Sequence, residues 1–187
     1  MLKRQALTTR QRLSLTVEQR KIFRAKFDDM RRILALFMSV EEDKDRRQRY
    51  TKLLTRAKTL QPTNETDAGE FFREANQLVS LTIANCKWRL AQMMQGCDKL
   101  NLKLKIKKSE DIVDDYLRMC KLVRQFTVDF QDKVDKYVAT PTEFTEKILL
   151  DYMRKVGPLQ TSLNEAAHRQ IGRLTSLPPP SEPECRK

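Results

Sequence analysis

Glycine is scarce in this sequence, with only four glycines among 187 residues. Tight turns between β-strands rely on glycine for positive backbone φ angles, so this scarcity argues against a β-rich protein. Long apolar runs are missing as well, and none approaches the roughly 18 residues of a membrane-spanning helix. We therefore expect a helical chain without a transmembrane segment.

Patterns that carry catalysis or bind metals are also missing. His168 is the only histidine, and the sequence contains no H-E-x-x-H or C-x-x-C motif. Glycine-rich phosphate loops and the G-x-S-x-G turn of hydrolases do not occur either. The sequence therefore predicts a protein that is not an enzyme, with no catalytic residue, cofactor or metal site.

Three of the four cysteines, Cys86, Cys97 and Cys120, occupy positions in apolar stripes. A free cysteine in such a position behaves as a small buried hydrophobe. A disulfide between Cys120 and either of the other two is the less favoured alternative.

The N-terminus offers one indication of the compartment. It lacks the apolar core of a secretory signal, so we expect an intracellular protein of the cytoplasm or nucleus. Residues 1–16 are basic and free of acidic residues, which leaves mitochondrial targeting as a weaker alternative.

The most informative feature that is present is a long apolar stripe. Its members follow one another in steps of three and four, the spacing of a helical seam that packs against other helices. They are Phe72, Ala75, Val79, Ile83, Cys86, Leu90, Met93, Cys97, Leu100 and Leu104.

Similar stripes before and after it predict an all-α fold of about five helices, in antiparallel bundle or coiled-coil sections. We divide the chain into a basic arm (1–15), a basic helical hairpin (16–61), long helices (66–176) and a disordered proline-rich tail (177–187). Thr140 is the predicted N-cap of the fifth helix, with Pro141 in its first turn. Gly157-Pro158 is predicted to break or kink that helix.

The conformation of residues 97–108 stays open at this stage. Gly96 is a candidate end for the third helix, and apolar residues then alternate with polar ones from Leu100 to Lys107. The segment fits a fraying helix end, an extended basic connector, or an edge strand paired with another chain.

Positive charge is concentrated in the first third of the chain. The formal net charge is +12, and residues 1–60 hold 17 Lys and Arg against 7 Asp and Glu, a net of +10. A field of one sign attracts anionic partners. The predicted contacts to such a partner are Arg20, Arg24, Arg31, Arg46, Arg47 and Arg49.

These patterns favour a non-enzymatic scaffold or adaptor subunit of a multi-protein complex. We expect hetero-oligomerisation with other helical subunits, and a basic first third that contacts an acidic protein surface. The alternatives are a nucleic-acid-binding helical module and a microtubule- or kinetochore-associated subunit. The residues predicted to pack against partner helices are Leu90, Met93, Met94, Val123, Phe126, Phe130, Tyr152 and Val156.

Overall fold

The computed structural model describes the backbone of residues 17–60, 65–106 and 114–176. Side chains are described in the same ranges except at residues 19–20, 65–67, 104–106 and 173–176. Within these ranges the protein is all-α, with no strand, which confirms the predicted fold class. The helices are α1 (Val17–Val40), α2 (Lys44–Thr59), α3 (Glu65–Ile106), α4 (Asp114–Ala139) and α5 (Glu143–Ser176). The predicted N-terminal arm and C-terminal tail lie outside the described residues.

The chain divides into two compact units between Thr82 and Ile83, within α3. We call the described residues up to Thr82 the N-terminal unit and those from Ile83 the C-terminal unit. The first part of α3 packs with the α1–α2 hairpin, since the Tyr50 hydroxyl donates to the carbonyl oxygen of Leu78 at 3.3 Å.

In the N-terminal unit, α2 runs antiparallel to both α1 and the first part of α3. An aromatic cluster of Phe23, Phe27, Phe71 and Phe72 closes one end, with the rings of Phe27 and Phe71 centred 4.8 Å apart. At the other end α2 begins at an N-cap, because the Asp43 carboxylate accepts a hydrogen bond from the Arg46 backbone N–H at 2.8 Å.

In the C-terminal unit, α4 runs antiparallel to the second part of α3 and to α5. Leu90, Val123 and Leu149 are completely buried between them. α5 starts with Thr142 as its N-cap, because the Thr142 hydroxyl accepts from the backbone N–H of Thr145. The Thr145 hydroxyl in turn accepts from the backbone N–H of Thr142, which makes a reciprocal capping box. The predicted cap at Thr140 is therefore wrong by two residues.

No helix ends at either of the two positions, Gly96 and Gly157-Pro158, where the sequence allowed an end or a break. α3 continues through Gly96 to Ile106, and α5 continues through Pro158 to Ser176. Buried residues lie on both sides of each position, such as Val156 and Leu159 around Pro158. Tertiary packing of one continuous face outweighs the local preference of glycine or proline to end a helix. Residues 97–106 therefore take the helical alternative, and residues 107–108 lie outside the described ranges.

Candidate anion-binding face

The outward side of α2 is strongly cationic. The helix carries seven Lys and Arg but a single acidic residue, Asp45. Two of the seven cations form ion pairs, Arg46 with Glu41 and Arg56 with Glu70 and Glu74. The other five are exposed and form no ion pair with any described residue, namely Lys44, Arg47, Arg49, Lys52 and Lys58. We call these five residues the α2 cations.

Two hollows flank α2 and extend this surface. Arg24, Arg31 and Lys58 surround a hollow of about 220 Å³ between α1 and α2, whose floor includes Phe27 and Ala57. Arg49, Lys52 and Arg56 line a second hollow of about 300 Å³ with Leu53 and Glu74. Each hollow therefore combines a predominantly cationic rim with apolar side chains.

The arginines predicted from the sequence do not all contribute to this face. Arg24, Arg47 and Arg49 are exposed and unpaired among the described residues. Arg31 lies 3.6 Å from the Asp28 carboxylate, so part of its charge is already compensated. The side chain of Arg20 is outside the described residues.

Arg46 has a different place, because it pairs with a buried carboxylate. The Glu41 side chain is only 1% exposed, and Arg46 binds it in a bidentate manner through Nε at 2.9 Å and Nη2 at 3.1 Å. The Thr82 hydroxyl donates to the same carboxylate at 2.7 Å and lies 2.8 Å from the Tyr50 hydroxyl. This polar network ties the α1–α2 connection to α3, so we assign Arg46 a structural role within the unit.

The hydrogen bonds of this network determine the charge state of Glu41. Burial acts to raise the pKa of the Glu41 carboxyl, but hydrogen bonds from Arg46, the Asp43 backbone N–H and Thr82 outweigh it. The pKa is therefore below its usual value, and the carboxylate stays ionised at neutral pH.

Three of the α2 cations are absent from the anionic-partner contacts predicted from the sequence. Lys44, Lys52 and Lys58 are exposed, as are Arg47 and Arg49. Their place outside the apolar stripe of Tyr50, Leu53 and Ala57 is the signal that could have identified them. The sequence offers no comparable signal for the ion pair of Arg46, because its partner Glu41 lies before the start of α2.

The residues predicted to pack against partner helices lie mostly in this chain's own core. Met94, Phe126 and Tyr152 are half-buried, and the rings of Phe126 and Tyr152 are 5.2 Å apart. Lys133 and Lys155 place their Nζ atoms over the Tyr152 ring. The other five are buried by helices of the C-terminal unit, namely Leu90, Met93, Val123, Phe130 and Val156.

The cysteines of the described residues are buried, as the apolar spacing predicts, and they form no disulfide with one another. Burial, reinforced by the neighbouring Cys120 thiol, raises the pKa of Cys97 to about 12. Its thiol is therefore protonated at neutral pH and is a poor nucleophile. Burial also raises the pKa of Tyr116, whose hydroxyl donates to the Cys97 carbonyl oxygen.

Neither a metal centre nor a membrane span is found in the parts of the chain that the structure describes. No group of three or more His, Cys, Asp or Glu side chains there is placed to hold a metal ion. No helix in those ranges is long and apolar enough to cross a bilayer.

Comparisons with known proteins add no relative. No protein-family model, curated protein or solved structure matches this chain.

Proposed function

We propose that this protein is a non-enzymatic helical scaffold or adaptor subunit whose α1–α2 face binds an acidic segment of a partner protein. The observation that carries the proposal is the set of five α2 cations, which are exposed and unpaired among the described residues. Neighbouring like charges repel one another, and an anionic partner relieves that repulsion while it gains Coulomb attraction.

The contrast with α4 supports the same proposal. Four of its five cations form ion pairs, for example Arg118 with Asp115 and Lys136 with Asp132. A helix that only needs solubility can balance its charges in this way. α2 leaves most of its positive charge uncompensated, which is typical of a surface that meets a charged partner.

Two features favour a polypeptide over a nucleic acid as that partner. The hollow between α1 and α2 has an apolar floor of Phe27 and Ala57, which suits an aliphatic or aromatic side chain between carboxylates. In addition, no aromatic ring of the described N-terminal unit is exposed for base stacking.

Co-purification of the tagged full-length chain from its own cells tests this function. We compare the wild type with Arg47→Glu/Lys52→Glu and with a control, Lys121→Glu/Lys147→Glu, which changes the net charge equally. All four side chains are exposed and unpaired among the described residues. We expect a stoichiometric partner protein with an acidic segment to co-purify with the wild type and with the control. The α2 variant should lose this partner protein.

Two results of this experiment would contradict the proposal. One is a companion that both charge variants lose equally, because net charge and not the α2 face would then determine binding. The other is co-purification of nucleic acid, with nuclease treatment releasing every companion. That result would favour the nucleic-acid-binding alternative.

A further inference from the structure

A cavity of about 360 Å³ lies in the C-terminal unit, on residues of α3, α4 and α5. Met93, Cys97, Tyr116 and Leu163 line it and are themselves buried, so much of its wall is apolar. Gly96 also lines it, and a Cβ atom added there would meet nothing within 4 Å. The cavity is within the range of volumes that small-molecule sites have, roughly 300–1,000 Å³.

Both charged side chains that line the cavity are positive. Lys99 and Lys103 are exposed, lie one helical turn apart on α3 and form no ion pair with any described residue. None of the residues that line the cavity is acidic. Like charges four residues apart on a helix repel each other, so an anion between them is favoured.

One amide at the cavity is fixed by a neighbour. Arg89 donates to the Gln160 side-chain oxygen from Nε at 3.1 Å and from Nη2 at 2.8 Å. The remaining hydrogen-bonding group of that side chain is its NH₂, which is a donor. Gln160 therefore adds to the preference for a ligand that accepts hydrogen bonds.

We propose that this cavity binds an aliphatic carboxylate, with the alkyl chain against Met93 and Leu163 and the carboxylate between Lys99 and Lys103. The apolar wall removes the alkyl chain from water, and the two ammonium groups compensate the negative charge. Charge complementarity selects this ligand over an alkyl alcohol or an alkyl amine. The site is independent of the α2 cations and of the function proposed for them.

Isothermal titration of the full-length chain tests the site, with octanoate, decanoate and dodecanoate below their micellar concentrations. Each buried methylene contributes about 0.8 kcal/mol, so affinity rises about fourfold per methylene while the cavity has room. An alkylammonium ion of the same chain length is expected to bind at least about tenfold more weakly, because Lys99 and Lys103 repel it.

Matched variants locate the binding. Gly96→Leu places a side chain in the open space beside Gly96, and we expect an affinity loss of about tenfold or more. Gly69→Leu is the control, since Gly69 lies in the same helix, is equally open and does not line the cavity. Lys99→Gln/Lys103→Gln is expected to weaken carboxylate binding by about tenfold and to reduce the preference over the alkylammonium ion.

The titrations can also overturn the proposal. Absence of saturable binding for all three carboxylates would do so. An unchanged affinity in Gly96→Leu, or an unchanged affinity in the double lysine variant, would also overturn it, provided that circular dichroism shows the variant to be folded. Because the lysine variant leaves the apolar wall intact, it keeps the test decisive even if Gly96→Leu disturbs α3.

Discussion

Each of the two units of this protein packs three helices, with the middle helix antiparallel to the other two, but the units use charge differently. Both bury polar groups, with Glu41 and Thr82 in the N-terminal unit and Glu146 and Gln170 in the C-terminal unit. Their surfaces differ more. α2 displays five cations without an ion pair among the described residues, whereas most cations of α4 have a carboxylate beside them.

This contrast teaches that composition alone does not identify a binding face. Arg46 and Arg47 are adjacent in a basic run, yet Arg46 neutralises the buried Glu41 and Arg47 remains exposed. Positive charge is thus divided between an internal structural role and an external surface. The pairing partner of each cation, not its place in a charged run, decides which role it has.

The largest effect is expected in the apolar core of the C-terminal unit. Phe130 is 1% exposed, so Phe130→Ala should reduce the free energy of unfolding by about 3–5 kcal/mol through lost burial and a new cavity. Denaturant titration followed by circular dichroism measures this. Phe144→Ala is the control, since Phe144 is 73% exposed and should change stability by no more than about 0.5 kcal/mol. Equal effects would mean that the helical register of the unit is not the one described.

The next effect concerns the polar network of the N-terminal unit. Glu41→Gln removes the charge that Arg46 and Thr82 surround, and should cost about 3 kcal/mol, the low end for a buried pair. Arg46 is a quarter exposed and can turn towards water, which limits the loss. Glu165→Gln, at an exposed carboxylate of α5, is the control measured by the same denaturant titration. If Glu41→Gln lowers the free energy of unfolding by less than about 0.5 kcal/mol, the network does not stabilise the fold.

Glu41 also predicts a pH dependence with a definite sign. Because the folded state lowers the pKa of this carboxyl, the folded protein binds its proton less readily than the unfolded chain does. The stabilisation is fully present above the unfolded pKa of about 4.3 and is lost as pH falls through the lower folded value. The free energy of unfolding should therefore fall less steeply in acid for Glu41→Gln than for the wild type. Parallel pH profiles of the two proteins would contradict this assignment.

A smaller effect distinguishes the observed start of α5 from the predicted one. Thr142→Ala removes the side chain that accepts from the Thr145 backbone N–H, and should cost about 1 kcal/mol. Thr140→Ala is the matched control, because the Thr145 hydroxyl bonds to the backbone carbonyl of Thr140 and not to its side chain. Thermal unfolding of both variants measures the difference. A larger loss at Thr140 would restore the N-cap predicted from the sequence.

The smallest effect compares one glycine from each unit. Gly69 and Gly96 are both in α3, and a Cβ atom at either would meet nothing within 4 Å. Replacing either by alanine should stabilise the protein by about 0.5–1 kcal/mol, because alanine loses less backbone entropy in a helix. Thermal unfolding that shows destabilisation at one site alone would mean that a neighbour is closer there than described.

The sequence predicted much of the fold because apolar spacing is a property of single helices. The stripe from Ala75 to Cys97 is buried as its steps of three and four predict. Local signals were less reliable where packing opposes them, as at Gly96 and Pro158, which both lie within continuous helices. Whether a neighbouring helix belongs to this chain or to a partner is not encoded in the spacing. Val123 and Phe130 were for this reason expected to face partners, although this chain covers them itself.

The candidate anion-binding face was predictable only in part. The excess of Lys and Arg in residues 1–60 is visible in composition, and Arg24, Arg47 and Arg49 are exposed. The partner of Arg46 could not be predicted from the sequence. Glu41 lies outside the helix that holds Arg46, and Thr82, which completes the network, is distant in sequence. Long-range pairing of charges requires the three-dimensional arrangement.

One measurement tests most directly whether the α2 cations bind an acidic polypeptide. Fluorescence anisotropy measures the affinity of the full-length chain for two ligands, a glutamate-rich peptide that contains leucine residues and duplex DNA. Both affinities are measured over a range of salt concentrations. We predict weak DNA binding at physiological salt, and peptide binding that Arg47→Glu/Lys52→Glu reduces at least about tenfold and Lys121→Glu/Lys147→Glu leaves intact. Five phosphate contacts would give a log–log salt slope of about −4.5 on DNA. Tight DNA binding with that slope, abolished by the α2 variant, would contradict the proposed acidic protein partner.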